Sequence, residues 1–545
     1  MRRSSLHSLN RALGCALVCL ASTACDGCSD RASTTGQGLG WGVMTGEVDA
    51  HGAVIWGRGT GAGWFQVELH GRSGPLRLRA PLSEQRDFTA RVQLTELESA
   101  TSYSYHAWLS SRQDGGAAPA DAVVGSFRTA PEASSAARVR FAFSGDLGGQ
   151  NACRDAERGY PIFEPLSKER LDFFIGLGDM IYGDGYCRAT GRFGNTQVPR
   201  DIDAATKREE YWRFWRYNRA DLGSQRLLAS TGYYAVWDDH EVVNDFGPER
   251  DQRGNAPYRV GEHLMPEGLA AFLDYHAFDA AAQAGNRLYR SRRWGKHLEL
   301  FFLDTRQYRS VASLPGSDPK KSMLGAEQLE WLTESLRRSD ATWKLIVSSV
   351  PLSIPTGWPP NGPRDGWANF GGPTGYEGEL SRLVSVLPEL KPANVIFVTT
   401  DVHFAAAYVY RPLARTARVA DARTSQFSFL ELVSGPLSAG LFPKLIYDDS
   451  FGAERLFIHA PMHGEPTTDF DEALDWFNYA VLDVDPRGNI EVTYRDAKGA
   501  LIQRLELSPG QAPELLPGGR ALRGPAQSRS ELEAAAGSAP RAEDD

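Results

Sequence analysis

Four apolar runs that each end in an acidic or histidine-bearing turn constrain this chain more than any other feature. Val139 to Phe143 leads into Ser144-Gly-Asp146, and Phe173 to Leu177 leads into Gly178-Asp-Met-Ile-Tyr182. Tyr233 to Val236 leads into Trp237-Asp-Asp-His-Glu241, and Val395 to Val398 leads into Thr399-Thr-Asp-Val-His403. In α/β proteins, residues just past the carboxyl ends of sheet strands gather in one crevice. Carboxylates, a phenol and imidazoles gathered there repel one another or stay unsatisfied unless a cation joins them. The economical reading is a cluster of metal ions on an α/β scaffold.

The chain has 545 residues, more than one ordinary domain needs and enough for a large core. A formal net charge of −9 argues against nucleic acid as a main partner, because phosphate backbones select basic surfaces. It does not argue against a small anionic substrate, since bound cations dominate their local field. Residues 1–24 read as an export signal: Arg2, Arg3 and Arg11 precede a short apolar run, Ala12 to Ala24, too short to span a membrane. The run ends Leu20-Ala-Ser-Thr-Ala-Cys25, which resembles a bacterial lipoprotein cleavage site with Cys25 lipidated. Ser22 stands where that motif has Leu, so plain cleavage after Ala24 is the alternative. The expected location is therefore periplasmic or outer-membrane lipoprotein, or secreted, with the membrane met only through Cys25. Cys153 and Cys187 are left in the body of the exported chain, where an oxidising compartment favours a disulfide over a thiolate ligand.

After a tether at 25–38, residues 39–131 carry an all-β pattern. Val54 to Trp56, Phe65 to Leu69, Phe88 to Val92 and Tyr103 to Trp108 alternate or run apolar between turns. Leu97-Glu-Ser-Ala-Thr-Ser-Tyr103 resembles the corner of fibronectin type III domains, and a small β-sandwich is expected. Residues 132–507 alternate strands with helices, among them Lys207 to Asn218, Pro266 to Phe278 and Ala326 to Arg338. Tyr479 to Val484 and Ile490 to Tyr494 flank Asp485-Pro-Arg-Gly488 as a hairpin. The Pro/Gly/Ala-rich stretch 508–545 reads as a disordered tail.

The motifs assign roles to particular side chains. Asp179 can bridge two cations with its two oxygens, and Tyr182, three residues on, suits a hard, highly charged ion. Asp146 adds a carboxylate in a loop whose glycines allow close backbone approach. In the Trp237 to Glu241 run, Asp239 is the expected ligand, His240 either protonates a leaving alkoxide or stabilises charged phosphoryl oxygens, and Asp238 orients a neighbour. Asn244 and Asp245 serve as further ligands or as helix-start residues. Asp401 and His403, two apart, would point to one side of an extended segment. Arg306 either grips a phosphate through its planar fork or pairs with Asp304. Asp184, His276, His459 and His463 receive no role.

Taken in order, Gly178-Asp-Met-Ile-Tyr182, Trp237-Asp-Asp-His-Glu241, Leu303-Asp-Thr-Arg-Gln-Tyr308, Met323-Leu-Gly-Ala-Glu-Gln-Leu-Glu-Trp-Leu332 and Thr400-Asp-Val-His403 resemble the alkaline phosphatase D family of calcineurin-like metallophosphoesterases. The resemblance implies a four-layer α/β/β/α catalytic domain after a small all-β domain. It implies hydrolysis of phosphate monoesters or diesters; attack by a metal-bound hydroxide, a small phosphoester or phospholipid substrate and a monomeric chain are the accompanying expectations. It also implies Fe3+ with Ca2+, with Zn2+ or Mn2+ as the alternative set. Asp179 would bridge, Tyr182 would hold iron, and Asp239, Asp401 and His403 would complete the ligands. Some members place a Cys where this chain has Asp146. The other classes open to this sequence are a phosphodiesterase or phospholipase acting on envelope lipids, and a non-catalytic metal-binding envelope protein.

Overall fold

The computed structural model describes residues 38–71, 74–247, 261–357, 365–370, 374–411, 427–442, 446–461, 467–521 and 527–528. The signal, nearly all of the tether, Cys25 and His463 lie outside these residues. Seven strands open the chain: β1 (Val43–Gly46), β2 (Ala53–Arg58), β3 (Gly63–Gly71), β4 (Gly74–Leu82), β5 (Thr89–Leu94), β6 (Ser102–Ser110) and β7 (Val123–Arg128). Then follow β8 (Val139–Ser144), α1 (Phe163–Ser167), β9 (Phe173–Gly176), α2 (Arg208–Arg219), α3 (Leu222–Ser230), β10 (Gly232–Ala235), α4 (Gly261–Asp274) and α5 (Ala280–Gly285). A second series comprises β11 (Arg290–Trp294), β12 (Leu298–Phe302), α6 (Gly325–Arg338), β13 (Trp343–Val347), α7 (Glu377–Val386), β14 (Val395–Thr399), β15 (Ala405–Tyr410) and β16 (Phe429–Val433). The chain closes with β17 (Ile446–Tyr447), β18 (Ala453–His459), β19 (Asn478–Val484), β20 (Ile490–Asp496), β21 (Leu501–Leu507), β22 (Glu514–Leu515) and β23 (Gln527–Ser528).

Two large sheets carry the architecture. One has ten strands, ordered β22-β21-β20-β19-β8-β9-β10-β1-β2-β5, and the other seven, ordered β11-β12-β13-β14-β16-β15-β18. Strands β8, β9 and β10 run parallel in the first sheet, as do β12, β13, β14 and β16 in the second. Because alternate side chains of a strand face opposite ways, neighbouring residues serve different cores. Phe141, Phe173 and Tyr234 meet Leu300, Leu345 and Ile396 between the two sheets. Ala142, Phe174 and Tyr233 turn outward against Trp215 and Leu227 of α2 and α3. Phe301, Ile346 and Phe397 pack against Leu336 and Leu383 of α6 and α7. These three apolar layers define the expected α/β/β/α stack. No helix among the described residues is long and apolar enough to cross a membrane.

Two expectations about organisation need revising. The opening strands do form two facing sheets, with Ile55 and Val92 against Phe65, Val67 and Tyr105. The Tyr103 hydroxyl accepts a hydrogen bond from the Glu98 N–H at 2.9 Å. Yet the boundary near residue 131 is not a break in structure, because β1 pairs in parallel with β10 and carries β2 and β5 into the large sheet. Glu47 reinforces the junction by pairing with Arg290 and with Arg292 (2.6 Å). The stretch from residue 508 also contains order: β22 pairs with β21, and β23 pairs with β17. Short two-residue pairings of this kind are invisible to composition.

Candidate metal centre

The carboxyl ends of β8, β9, β10 and β14 deliver the acidic turns to one place. Asp146, Asp179 and His403 each offer a ligand atom, all within 4.8 Å of one another. The same limit holds for Asp179, Asp239 and His240, and for Asp238, Asp239 and Asp401. Shared members join these groups into one continuous cluster. Asp239 also groups with Asp245, already a candidate from the sequence, and with Asp365.

The backbone is bent to achieve this. Asp146 (φ 63°), Asp179 (φ 53°), Asp401 (φ 74°) and His403 (φ 59°) all occupy the left-handed region, which non-glycine residues visit rarely and which concentrates at functional sites. This overturns the argument from spacing for Asp401 and His403. They do not lie along an extended segment, and they belong to different ligand groups. Two glycines permit the crowding: a Cβ on Gly149 would fall 2.3 Å from Cζ of Tyr182, and one on Gly178 would fall 2.6 Å from Cβ of Asp238.

Hydrogen bonds fix each side chain. His403 donates from Nδ1 to the carbonyl of Gly440, which makes its Nε2 the acceptor of a hydrogen bond from the Tyr182 hydroxyl at 3.0 Å. Asp146 accepts from the Thr400 hydroxyl through Oδ2 at 2.6 Å, while its buried Oδ1 has no hydrogen-bond partner and lies 3.8 Å from His403 Nε2. Glu241 is a clamp that the sequence reading overlooked. Its Oε2 accepts from the N–H groups of Asp179 (3.0 Å) and Asp238 (2.7 Å), and its Oε1 from Met180 (2.8 Å). One buried carboxylate thus ties the turn after β9 to the turn after β10. Asp184, also overlooked, lies 2.6 Å from Nδ1 of His240 and accepts from the Asn244 N–H.

Arg306 requires a correction. Its side chain is fully buried, with Nε 2.6 Å from Asp238 Oδ1 and its two terminal nitrogens 2.8 and 2.7 Å from Asp365. Asp304 instead accepts from the Arg306 backbone N–H. The guanidinium neither reaches out for a phosphate nor pairs with Asp304; it holds Asp238 and Asp365 in place. Ser349 adds a hydrogen bond to Asp238 at 2.8 Å, and Arg309 pairs with Asp365 at 2.6 Å. Nothing in the local sequence flags Asp365, an isolated acid in a Pro/Gly-rich stretch.

The electrostatics ask for cations. Burial pushes Asp146 up to about 8. Burial, followed by the charges of Asp239, Asp238 and Glu241, drives Asp179 well above the carboxylate range. Burial and then the Asp179 charge raise the Tyr182 phenol as well. Asp238 rises to about 7 despite Arg306, because burial outweighs the pairing, and its Oδ2 is buried with no partner. Orphaned carboxylate oxygens among acids that cannot all ionise together fit multivalent ions with oxygen preference. His240 goes the other way: burial lowers it, but Asp184 and Asp239 raise it more, to about 9. Cys153 and Cys187 form a disulfide that links the loops following Asp146 and Asp179.

Comparison with known proteins agrees with this geometry. The family model for PhoD-like phosphatase matches residues 146–491. Alkaline phosphatase D of Bacillus subtilis (strain 168) is 27% identical over 304 residues, covering 51% of this chain and 48% of that protein. The chain thus spans about half the length of that curated relative. The solved structure of PhoD superposes with a TM-score of 0.70 at 17% identity, covering 91% of this chain and 95% of that one. A purple acid phosphatase, PPD1 from yellow lupin (Lupinus luteus) seeds, gives 0.52 at 13% identity, covering 88% and 77%. At those identities the structures speak for the fold.

Proposed function

Since the chain belongs to the PhoD-like phosphatase family, we propose that it hydrolyses phosphoesters at the acidic centre, as an exported monomer held to a membrane, if at all, through a lipid on Cys25. The carrying observation is the convergence of buried carboxylates on one point, with Asp146 Oδ1 and Asp238 Oδ2 left without a hydrogen bond.

Asp146, Asp179, Tyr182, Asp239, Asp401 and His403 are the residues that would hold the ions. The set is rich in oxygen, which suits Fe3+ and Ca2+ better than Zn2+. Tyr182 favours a highly charged ion in particular, because a phenol is a hard oxygen ligand only once ionised. When bound, such ions neutralise phosphoryl oxygens and acidify water. His240 supplies the proton. Asp184 occupies Nδ1, so a proton delivered to the leaving group departs from Nε2. Glu241 and Arg306 contact no substrate in this scheme; they hold the ligand turns in register.

The test compares wild type with Asp179→Asn. Metal content, the visible spectrum, and hydrolysis of p-nitrophenyl phosphate and bis-p-nitrophenyl phosphate are read on the same samples. Loss of metal together with loss of both activities supports the reading, and the ratio of the two rates assigns monoester or diester preference. Unchanged metal and activity in the variant would falsify it.

A further inference from the structure

Far along the chain from the acidic turns, the four-stranded sheet β4-β3-β6-β7 turns a different ligand set outward. In β3, Phe65, Val67 and Leu69 are buried, so Glu68 and His70 project from the opposite face. In β6, Tyr105 and Ala107 are buried and His106 projects outward. The strands are antiparallel, with Glu68 directly opposite His106 and His70 opposite Ser104. Cross-strand and diagonal neighbours on one face lie within side-chain reach. The three side chains therefore converge: His70 Nε2 lies 3.4 Å from His106 Nδ1 and 3.5 Å from Glu68 Oε1, and all three ligand atoms lie within 4.8 Å of one another.

We propose that Glu68, His70 and His106 form a second metal site, for a borderline-soft divalent ion such as Zn2+, independent of the acidic centre. Four ligands at tetrahedral corners with bonds of about 2.1 Å are separated by about 3.4 Å. Two of the three edges already have that length without an ion present. Arg77 holds the other oxygen of Glu68 at 2.6 Å, which orients Oε1 toward His70 in the way outer-shell partners orient metal-binding carboxylates. Two imidazole nitrogens and one carboxylate oxygen suit zinc, whereas the oxygen-rich centre suits harder ions. Binding needs no reagent beyond the ion. Whichever ring carries the proton between Nε2 of His70 and Nδ1 of His106 shifts it to its other nitrogen, and a water fills the remaining corner.

The experiment loads the full-length wild-type chain and the variants His70→Gln and His106→Gln with the metals of the acidic centre. Zn2+ bound per chain is then measured by equilibrium dialysis with elemental analysis. Each variant should bind one Zn2+ fewer than wild type while hydrolysing p-nitrophenyl phosphate at the wild-type rate. Equal zinc stoichiometry in all three chains overturns the proposal. A measurement on wild type alone guards against a variant that fails to fold. Zn2+ should protect His70 and His106 from diethyl pyrocarbonate, mapped by peptide mass; equal modification with and without Zn2+ overturns the proposal too.

Discussion

Replacing Arg306 separates two accounts of that residue. Its guanidinium spans Asp238 and Asp365, and all three side chains are at most 1% exposed. Breaking a buried ion pair by removing one partner costs about 3–5 kcal/mol, because the other charge stays buried and uncompensated. Asp365 keeps Arg309, so the loss falls mainly on Asp238, whose proton affinity is already high. Arg306→Met should therefore sit near the middle of that range, about 4 kcal/mol. Arg306→Lys keeps the charge, but a single ammonium cannot match the paired contacts to Asp365, and about 2 kcal/mol is expected. The assay is urea unfolding of the metal-loaded chain at fixed metal concentration, followed by tryptophan fluorescence, with steady-state kinetics on the same preparations. A structural Arg306 lowers the unfolding midpoint of both variants, with metal affinity falling as the neighbouring Asp239 turn loosens. If Arg306→Lys kept its stability to within about 1 kcal/mol while KM rose tenfold, the reasoning would be refuted and the phosphate-gripping role restored.

Other perturbations probe the supports around the centre. Glu241→Gln replaces one acceptor oxygen by a donor facing a backbone N–H, so it should cost about 2 kcal/mol and weaken metal retention; unchanged dialysis half-times for bound metal would count against the clamp. Reducing the Cys153–Cys187 bridge, or changing both residues to Ser, opens a loop of sequence separation 34 and should lower stability by about 4 kcal/mol, read by chemical denaturation. His459 is buried, with its pKa lowered to about 4 by burial. Its folded value lies below its unfolded value near 6.5, so stability present above about pH 6.5 is lost as the pH falls toward 4, by about 3 kcal/mol. His459→Asn should flatten that acid limb in melting temperatures taken between pH 7 and pH 4.5, and an unchanged limb would exonerate His459.

The strand-end logic was readable because each ligand turn directly follows an apolar run, so local pattern and tertiary position coincide. What escaped the sequence depends on contacts between distant segments. Arg306 announces a charge but not its partner, and Asp365 sits 59 residues away with no motif around it. Glu241 is adjacent to His240, yet its role exists only because the turn after Gly178 presents N–H groups to it. The period-two argument for Asp401 and His403 failed because both residues leave the extended region just beyond β14. The domain boundary failed for a similar reason: the parallel pairing of Thr45 with Gly232 joins segments that no local pattern connects.

That pairing bears on anyone who would trim the protein to the residues around the acidic centre. β1 covers the flank of β10, the strand that runs directly into Asp238 and Asp239. A chain started at residue 132 would leave β10 as a raw sheet edge, open to pairing with another molecule. It would also take Glu47 away from Arg290 and Arg292, and Asp87 away from Arg216. Strands β1, β2 and β5 therefore work as a flank of the large sheet rather than a detachable accessory. A usable truncation would have to bring its own replacement strand.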